Sequence, residues 1–108
     1  MRKILLPLLF LLFVAVSSYG RDISDIEKAA IQRAENDPAT AYEYFLEQIE
    51  TGASIEKQAI YLYGMGLALE KQGDTREAIN DYLAAEALGN QSARRALRRL
   101  QNQLNREG

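Results

Sequence analysis

The sequence predicts an all-α chain, a helix-turn-helix repeat solenoid of about two and a half hairpins and five helices, preceded by an N-terminal signal helix. Three observations carry that prediction. Beyond residue 20, apolar residues recur at spacings of three and four, and no β-branched run alternates with period two. Gly52, Gly73 and Gly89 interrupt the pattern, each followed within two residues by a helix-capping side chain. A shift of 37 residues superposes apolar register, glycines and caps together.

In order along the chain, Arg2 and Lys3 precede an apolar run from Ile4 to Val16, and Ser18 and Gly20 put small residues where a signal peptidase reads. Thirteen residues of helix rise about 20 Å against a hydrocarbon core of roughly 30 Å. Residues 1–20 therefore read as a secretory signal peptide cleaved after Gly20, with an uncleaved anchor as the alternative. The chain has no cysteine, which excludes disulfides, thiol chemistry and an acylated cysteine. Export without disulfides fits a bacterial periplasm, with secretion as the alternative.

Residues 21–108 read as one helical domain. Asp22 or Ser24 starts a first helix ending near Asn36, with Ile23, Ile26, Ala30 and Ala34 on one face. Asp37 caps the second, Pro38 fits its first turn because no amide proton is needed there, and Gly52 ends it after about Glu50. Ser54 begins a third helix reaching Gln72, whose buried positions are expected at Ala59, Ile60, Tyr63 and Leu67, with Leu62 and Leu69 as further candidates. Asp74 or Thr75 caps the fourth, which runs to Leu88, and Asn90 or Ser92 starts the fifth, which runs to about Asn105. Connections this short force neighbouring helices antiparallel.

The shift of 37 aligns Asp37 with Asp74, Phe45 with Tyr82, and Gly52 with Gly89; it also superposes Ile23, Ile60 and Leu97. The helices thus alternate A, B, A, B, A. Gly64 and Gly66 sit inside the third helix, where each costs about 1 kcal/mol relative to alanine. Gly66 is expected to offset that cost by admitting Tyr82 into a close hairpin. Gly64 has two readings, exposed or packed.

The residues Gly66, Gly73-Asp74, Glu77-Ala78-Ile79, Tyr82, Ala85 and Gly89-Asn90, within Ala59 to Ala96, resemble tetratricopeptide repeats. Their Sel-one-like relatives are the better likeness, because the unit exceeds the usual 34 residues and Leu88-Gly89-Asn90 with Ala93 is similar to their inter-repeat turn. The resemblance covers most of residues 21–108 and is weaker in the first unit, where Ala29 replaces Gly66 and Gln48 replaces Ala85. In the last helix Gln103 holds the glycine position. The resemblance implies an adaptor without catalysis, whose A helices line a concave surface. Tyr63, Leu67, Glu70 and Lys71 would stand at that groove. The carboxylate clamp of some tetratricopeptide proteins needs basic and asparagine residues along this face, which Tyr63 and Leu67 do not supply.

Charge is divided along the chain. Residues 21–90 carry six basic and fourteen acidic side chains, whereas residues 91–108 carry five arginines and one glutamate. On the fifth helix Ala93, Ala96, Leu97, Leu100 and Leu104 form an apolar stripe flanked by Arg94, Arg95, Arg98 and Arg99. Docking on an acidic protein, contact with anionic lipid, nucleic-acid binding and a merely solvated terminal cap compete for this helix. Nucleic acid is not expected, since residues 21–108 are acidic overall, with eleven basic against fifteen acidic groups. Membrane contact is possible but less favoured, because packing on the preceding hairpin would consume the apolar stripe.

Glu43, Glu47 and Glu50 read as a solvated acidic face rather than a cation site. Tyr42, Tyr44, Tyr61 and Tyr63 form two Tyr-x-Tyr pairs, each divided between core and surface by the roughly 200° between alternate helical residues. Tyr63 reads as groove-lining or half-buried, and Tyr44 or Tyr61 as a surface contact. With neither histidine nor cysteine, no cofactor or metal is expected and proton transfer falls to carboxylates, lysines, tyrosines and hydroxyls. The sequence therefore reads as an exported, non-catalytic adaptor for a protein or peptide, or for a second copy of itself. Its candidate contacts are Tyr63, Leu67, Glu70 and Lys71 with Arg94, Arg95, Arg98 and Arg99. The rival from another class is a carboxylate hydrolase, recognisable by two convergent acids of displaced pKa in one pocket.

Overall fold

Each helix is delimited by the short polar signals that the sequence places at its ends. In the computed structural model, which describes residues 23–107, the elements are α1 (23–36), α2 (Pro38–Glu50), α3 (Ile55–Lys71), α4 (Thr75–Ala87) and α5 (Gln91–Glu107), with no strand among the described residues. The signal peptide and its cleavage after Gly20 lie outside the described residues. The carboxylates of Asp37 and Asp74 accept the backbone N–H of Thr40 and Glu77 at 3.4 and 3.3 Å, so Asp74 rather than Thr75 caps α4. Asn90, not Ser92, caps α5, accepting from the Ala93 N–H at 2.8 Å. Ser54 caps α3 as expected, accepting from the Lys57 N–H at 3.4 Å.

Gly52, Gly73 and Gly89 take φ of +98°, +84° and +98°. Each lets the chain fold back so that the next backbone N–H returns to a carbonyl five residues earlier, as Asp74 does to Leu69 at 2.9 Å and Asn90 to Ala85 at 3.0 Å. Asp74 and Asn90 therefore end one helix and cap the next. That double duty leaves no slack, and α3 packs on α2 and α4, and α4 on α5.

α3 is the centre of the array, and its two internal glycines explain how. A Cβ on Gly64 would come within 2.6 Å of the Phe45 ring of α2, and one on Gly66 would overlap the Tyr82 ring of α4. The two glycines lie roughly 200° apart around the helix axis, so they receive α2 and α4 on opposite sides. Gly64 is accordingly buried, which selects the packed reading over the exposed one. Phe45 and Tyr82 are wholly buried, the largest such side chains described. Leu62 and Leu67 contact both resulting cores, one around Phe45 and the other around Tyr82.

The structure corrects several burial expectations. Ala59 and Ile60 are buried and Tyr63 is half-buried, in line with its groove-side reading, but Leu67, Leu62 and Leu69 are only half-buried, while Met65 and Ala68 are buried. With helices on two sides of α3, its buried surface wraps past a single stripe. Tyr61 is no surface residue, because it lies one turn before Gly64 and stacks on Phe45 at 5.9 Å between ring centres. Tyr44 is half-buried, with the Arg33 guanidinium 3.8 Å above its ring. In α5, Ala93, Ala96 and Leu100 are buried, whereas Leu104 is 54% exposed. The reason is helix order: its counterpart Leu67 in α3 packs against the core that α4 brings, whereas among the described residues no helix packs on the outer side of α5.

Candidate interaction face

The alternate helices α1, α3 and α5 meet on one side of the array. The side chain of Asn90, at the start of α5, donates to the Glu27 carboxylate of α1 at 3.4 Å. Between these elements lies an open hollow of about 350 Å³, whose lining includes Ile23 and Glu27 of α1, Ile60 of α3, and Asn90 and Arg95. Further along α3, Tyr63, Leu67 and Glu70 share a face at spacings of four and three. Tyr63 is half-buried, its ring tilted against that of Tyr82 at 5.8 Å. Burial raises its phenol pKa, and Glu27 and Glu70 add to the rise while Arg95 and Arg99 oppose it. One aromatic side chain thus stands among two carboxylates and two guanidinium groups from three helices.

Glu70 and Arg99 are joined by two parallel hydrogen bonds, Arg99 Nη2 donating to Oε1 at 2.6 Å and Nη1 to Oε2 at 3.0 Å. The buried Tyr82 hydroxyl donates to the same Oε1 at 2.5 Å. Burial by itself would raise the Glu70 carboxyl, but the bonds from Arg99 and Tyr82 outweigh it and hold the group below its ordinary value. Burial and the bond to Glu70 push the Tyr82 phenol up, and the bond to Glu70 raises Arg99. This network ties α3, α4 and α5 together. It also means that Glu70 and Arg99 already satisfy one another, leaving Tyr63 and Arg95 as the more available members of the face.

The eight candidate residues divide into two groups. Tyr63, Glu70, Arg95 and Arg99 lie on or border the α1–α3–α5 side, Leu67 one turn after Tyr63 packs half-buried against both cores, and Lys71 is exposed beside Glu70 in the last turn of α3. Arg94 and Arg98 turn to the opposite flank of α5 and line a groove shared with α4. The basic helix is therefore two surfaces, since residues one apart are separated by about 100°. Sequence reasoning missed Glu27 and the tie made by Asn90; the available signal was that Glu27 follows Ile23 by one turn on the predicted A-helix face. It also missed Asp81 of α4, whose Oδ2 is buried without a hydrogen bond and whose carboxyl is pushed up to about 6 by burial and the nearby Glu77.

Among the described residues no group of histidine, cysteine, aspartate or glutamate is arranged to hold a metal ion, and no helix is long and apolar enough to cross a membrane. No protein-family model matches the chain, and no curated protein or solved structure is significantly similar to it.

Proposed function

We propose that this protein is an exported, non-catalytic interaction adaptor of the tetratricopeptide or Sel-one-like kind, acting in a periplasm. It binds a segment of a protein or peptide along the side where α1, α3 and α5 converge. The observation that supports this reading best is the setting of Tyr63: a half-buried ring at the floor of a face bordered by Glu27, Arg95 and the Glu70–Arg99 pair. Aromatic side chains with one face open and charges of both signs at the rim make strong, orientation-selective protein contacts. The Glu70–Arg99–Tyr82 network holds the platform rigid, which reduces the ordering cost of binding. The signal-like sequence before residue 21 and the absence of cysteine support the assignment to an exported compartment.

Affinity capture from envelope extract tests the reading. The unmodified protein should retain a discrete partner, and Tyr63→Ala with Leu67→Ala should release it without lowering thermal stability by more than about 2 kcal/mol, since both side chains are only half-buried. Capture that is indifferent to these two changes would refute the assignment of the face.

A further inference from the structure

The groove between α4 and α5 lies on the flank opposite Tyr63 and is unaccounted for by the proposed function. It has a volume of about 400 Å³ and is lined by Ile79, Leu83 and Glu86 of α4 and Leu97 and Leu104 of α5, with Arg94 and Arg98 along one edge. Leu83 is 50% exposed and Leu104 54% exposed, two of the four large apolar side chains left open among the described residues. Leu46 and Leu67, thirty-seven residues earlier, are half-buried. The difference lies in helix order: α2 and α3 are succeeded by α4, whereas no described helix comes after α5.

α4 shows what kind of element such a pair accepts. It is a thirteen-residue helix that puts Ala78, Tyr82 and Ala85 inward and carries Glu77, Asp81 and Glu86 against the single basic residue Arg76. Burial raises the Tyr42 phenol of α2, and Asp81 and Glu77 of α4 stand near enough to raise it further. The α4–α5 groove sets two arginines against the single carboxylate of Glu86, so its own charge is net positive. Arg94 and Arg98 stand four residues apart on one flank, and among the described residues neither is paired with a carboxylate.

We infer that the α4–α5 groove seats an amphipathic helix with acidic flanks, supplied by a partner protein. Its apolar side covers Leu83 and Leu104, and its carboxylates meet Arg94 and Arg98. α5 carries Gln101 and Gln103 where α3 has Gly64 and Gly66, so the incoming helix finds no notch for an aromatic ring and rests on the leucines with aliphatic side chains. A second copy of this chain is the poorer occupant. Meeting groove to groove, it would set arginine against arginine across a two-fold axis, and the exposed acidic side of α2 offers no large exposed apolar residue.

Two synthetic helical peptides test the inference, each with leucine at positions i, i+4 and i+7, one flanked by glutamate and the other by lysine. Fluorescence anisotropy with the intact protein should show the glutamate peptide binding at least about tenfold more tightly. Leu83→Ser with Leu104→Ser should weaken it at least about tenfold, with the helical circular dichroism spectrum retained because both leucines are only half covered. Arg94→Glu with Arg98→Glu should reverse the preference toward the lysine peptide. Tyr63→Ala should leave the peptide affinity untouched, which separates this groove from the face of the proposed function. The inference is overturned by equal affinity for both peptides, by no binding of the glutamate peptide at about 1 mM, or by indifference to the leucine changes. A dimer in sedimentation velocity that those changes dissolve would overturn it in favour of self-association. Uptake onto phosphatidylglycerol vesicles through the same leucines and arginines, without peptide binding, would overturn it in favour of a lipid surface.

Discussion

Gly66→Ala carries the central packing argument into an experiment. An exposed helical glycine replaced by alanine stabilises by about 1 kcal/mol. Here the new methyl would overlap the Tyr82 ring, which is wholly buried and held at its hydroxyl by Glu70. The ring has nowhere to go. Forcing an extra methyl into a packed core costs about 1–3 kcal/mol, and displacing the ring would also give up a hydrogen bond to a carboxylate worth about 1.5–3 kcal/mol. Setting these against the propensity gain leaves a net loss of about 1.5–5 kcal/mol, a fall in Tm of at least roughly 6 °C for a domain this small. Urea unfolding followed by circular dichroism measures it. The sharper measurement is the same change in a Tyr82→Leu background, where the overlap is relieved and alanine should cost less than in the parent by at least about 1 kcal/mol. A Gly66→Ala protein as stable as the parent, or a loss of the same size in the Tyr82→Leu background, would refute the claim that the glycine exists to admit the ring.

Phe45→Ala should cost about 3–5 kcal/mol, because the ring is wholly buried between α2 and α3; a loss under about 1 kcal/mol in urea unfolding would show that α2 is held by other contacts. Asp81→Asn should stabilise the protein at pH 7.5 by about 1 kcal/mol, after discounting for the partial exposure of the group. The sign follows from a carboxyl pushed up to about 6 in the fold: the native state favours its protonated form, so this contribution is complete below the unfolded value and is lost as pH rises through 6. The gain from asparagine should fade toward pH 4, and a gain independent of pH would place its origin elsewhere. Glu70 runs the opposite way, since its carboxyl is held below the ordinary value and its contribution disappears as pH falls through that lowered value. Glu70→Gln should cost about 1–2 kcal/mol at neutral pH and progressively less in acid, read from urea midpoints across a pH series.

The separation of readable from unreadable features follows from the range of the forces involved. Helix starts and stops depend on a few neighbouring residues: Asp37, Ser54, Asp74 and Asn90 bond to amides three positions on, and Gly52, Gly73 and Gly89 supply a backbone conformation that L side chains resist. Those features, the all-helical class and the Gly66–Tyr82 notch were legible because spacing along the chain encodes them. Gly64 and Tyr61 were not, since their burial comes from Phe45, which reaches them from the previous helix and whose direction no local pattern specifies.

The candidate site divides along the same line. Composition alone narrowed the chemistry, because a chain with no histidine or cysteine has few catalytic or metal-binding groups to offer. Periodicity picked out Tyr63, Glu70 and the arginines as members of helix faces. Only the assembled helices decided that Glu70 is committed to Arg99 and Tyr82, that Asn90 reaches back to Glu27, and that adjacent arginines of α5 serve opposite sides. These are contacts between residues up to sixty-three positions apart, whose partners are chosen by how neighbouring helices dock. A sequence specifies what each helix presents, and packing alone determines what each presented side chain meets.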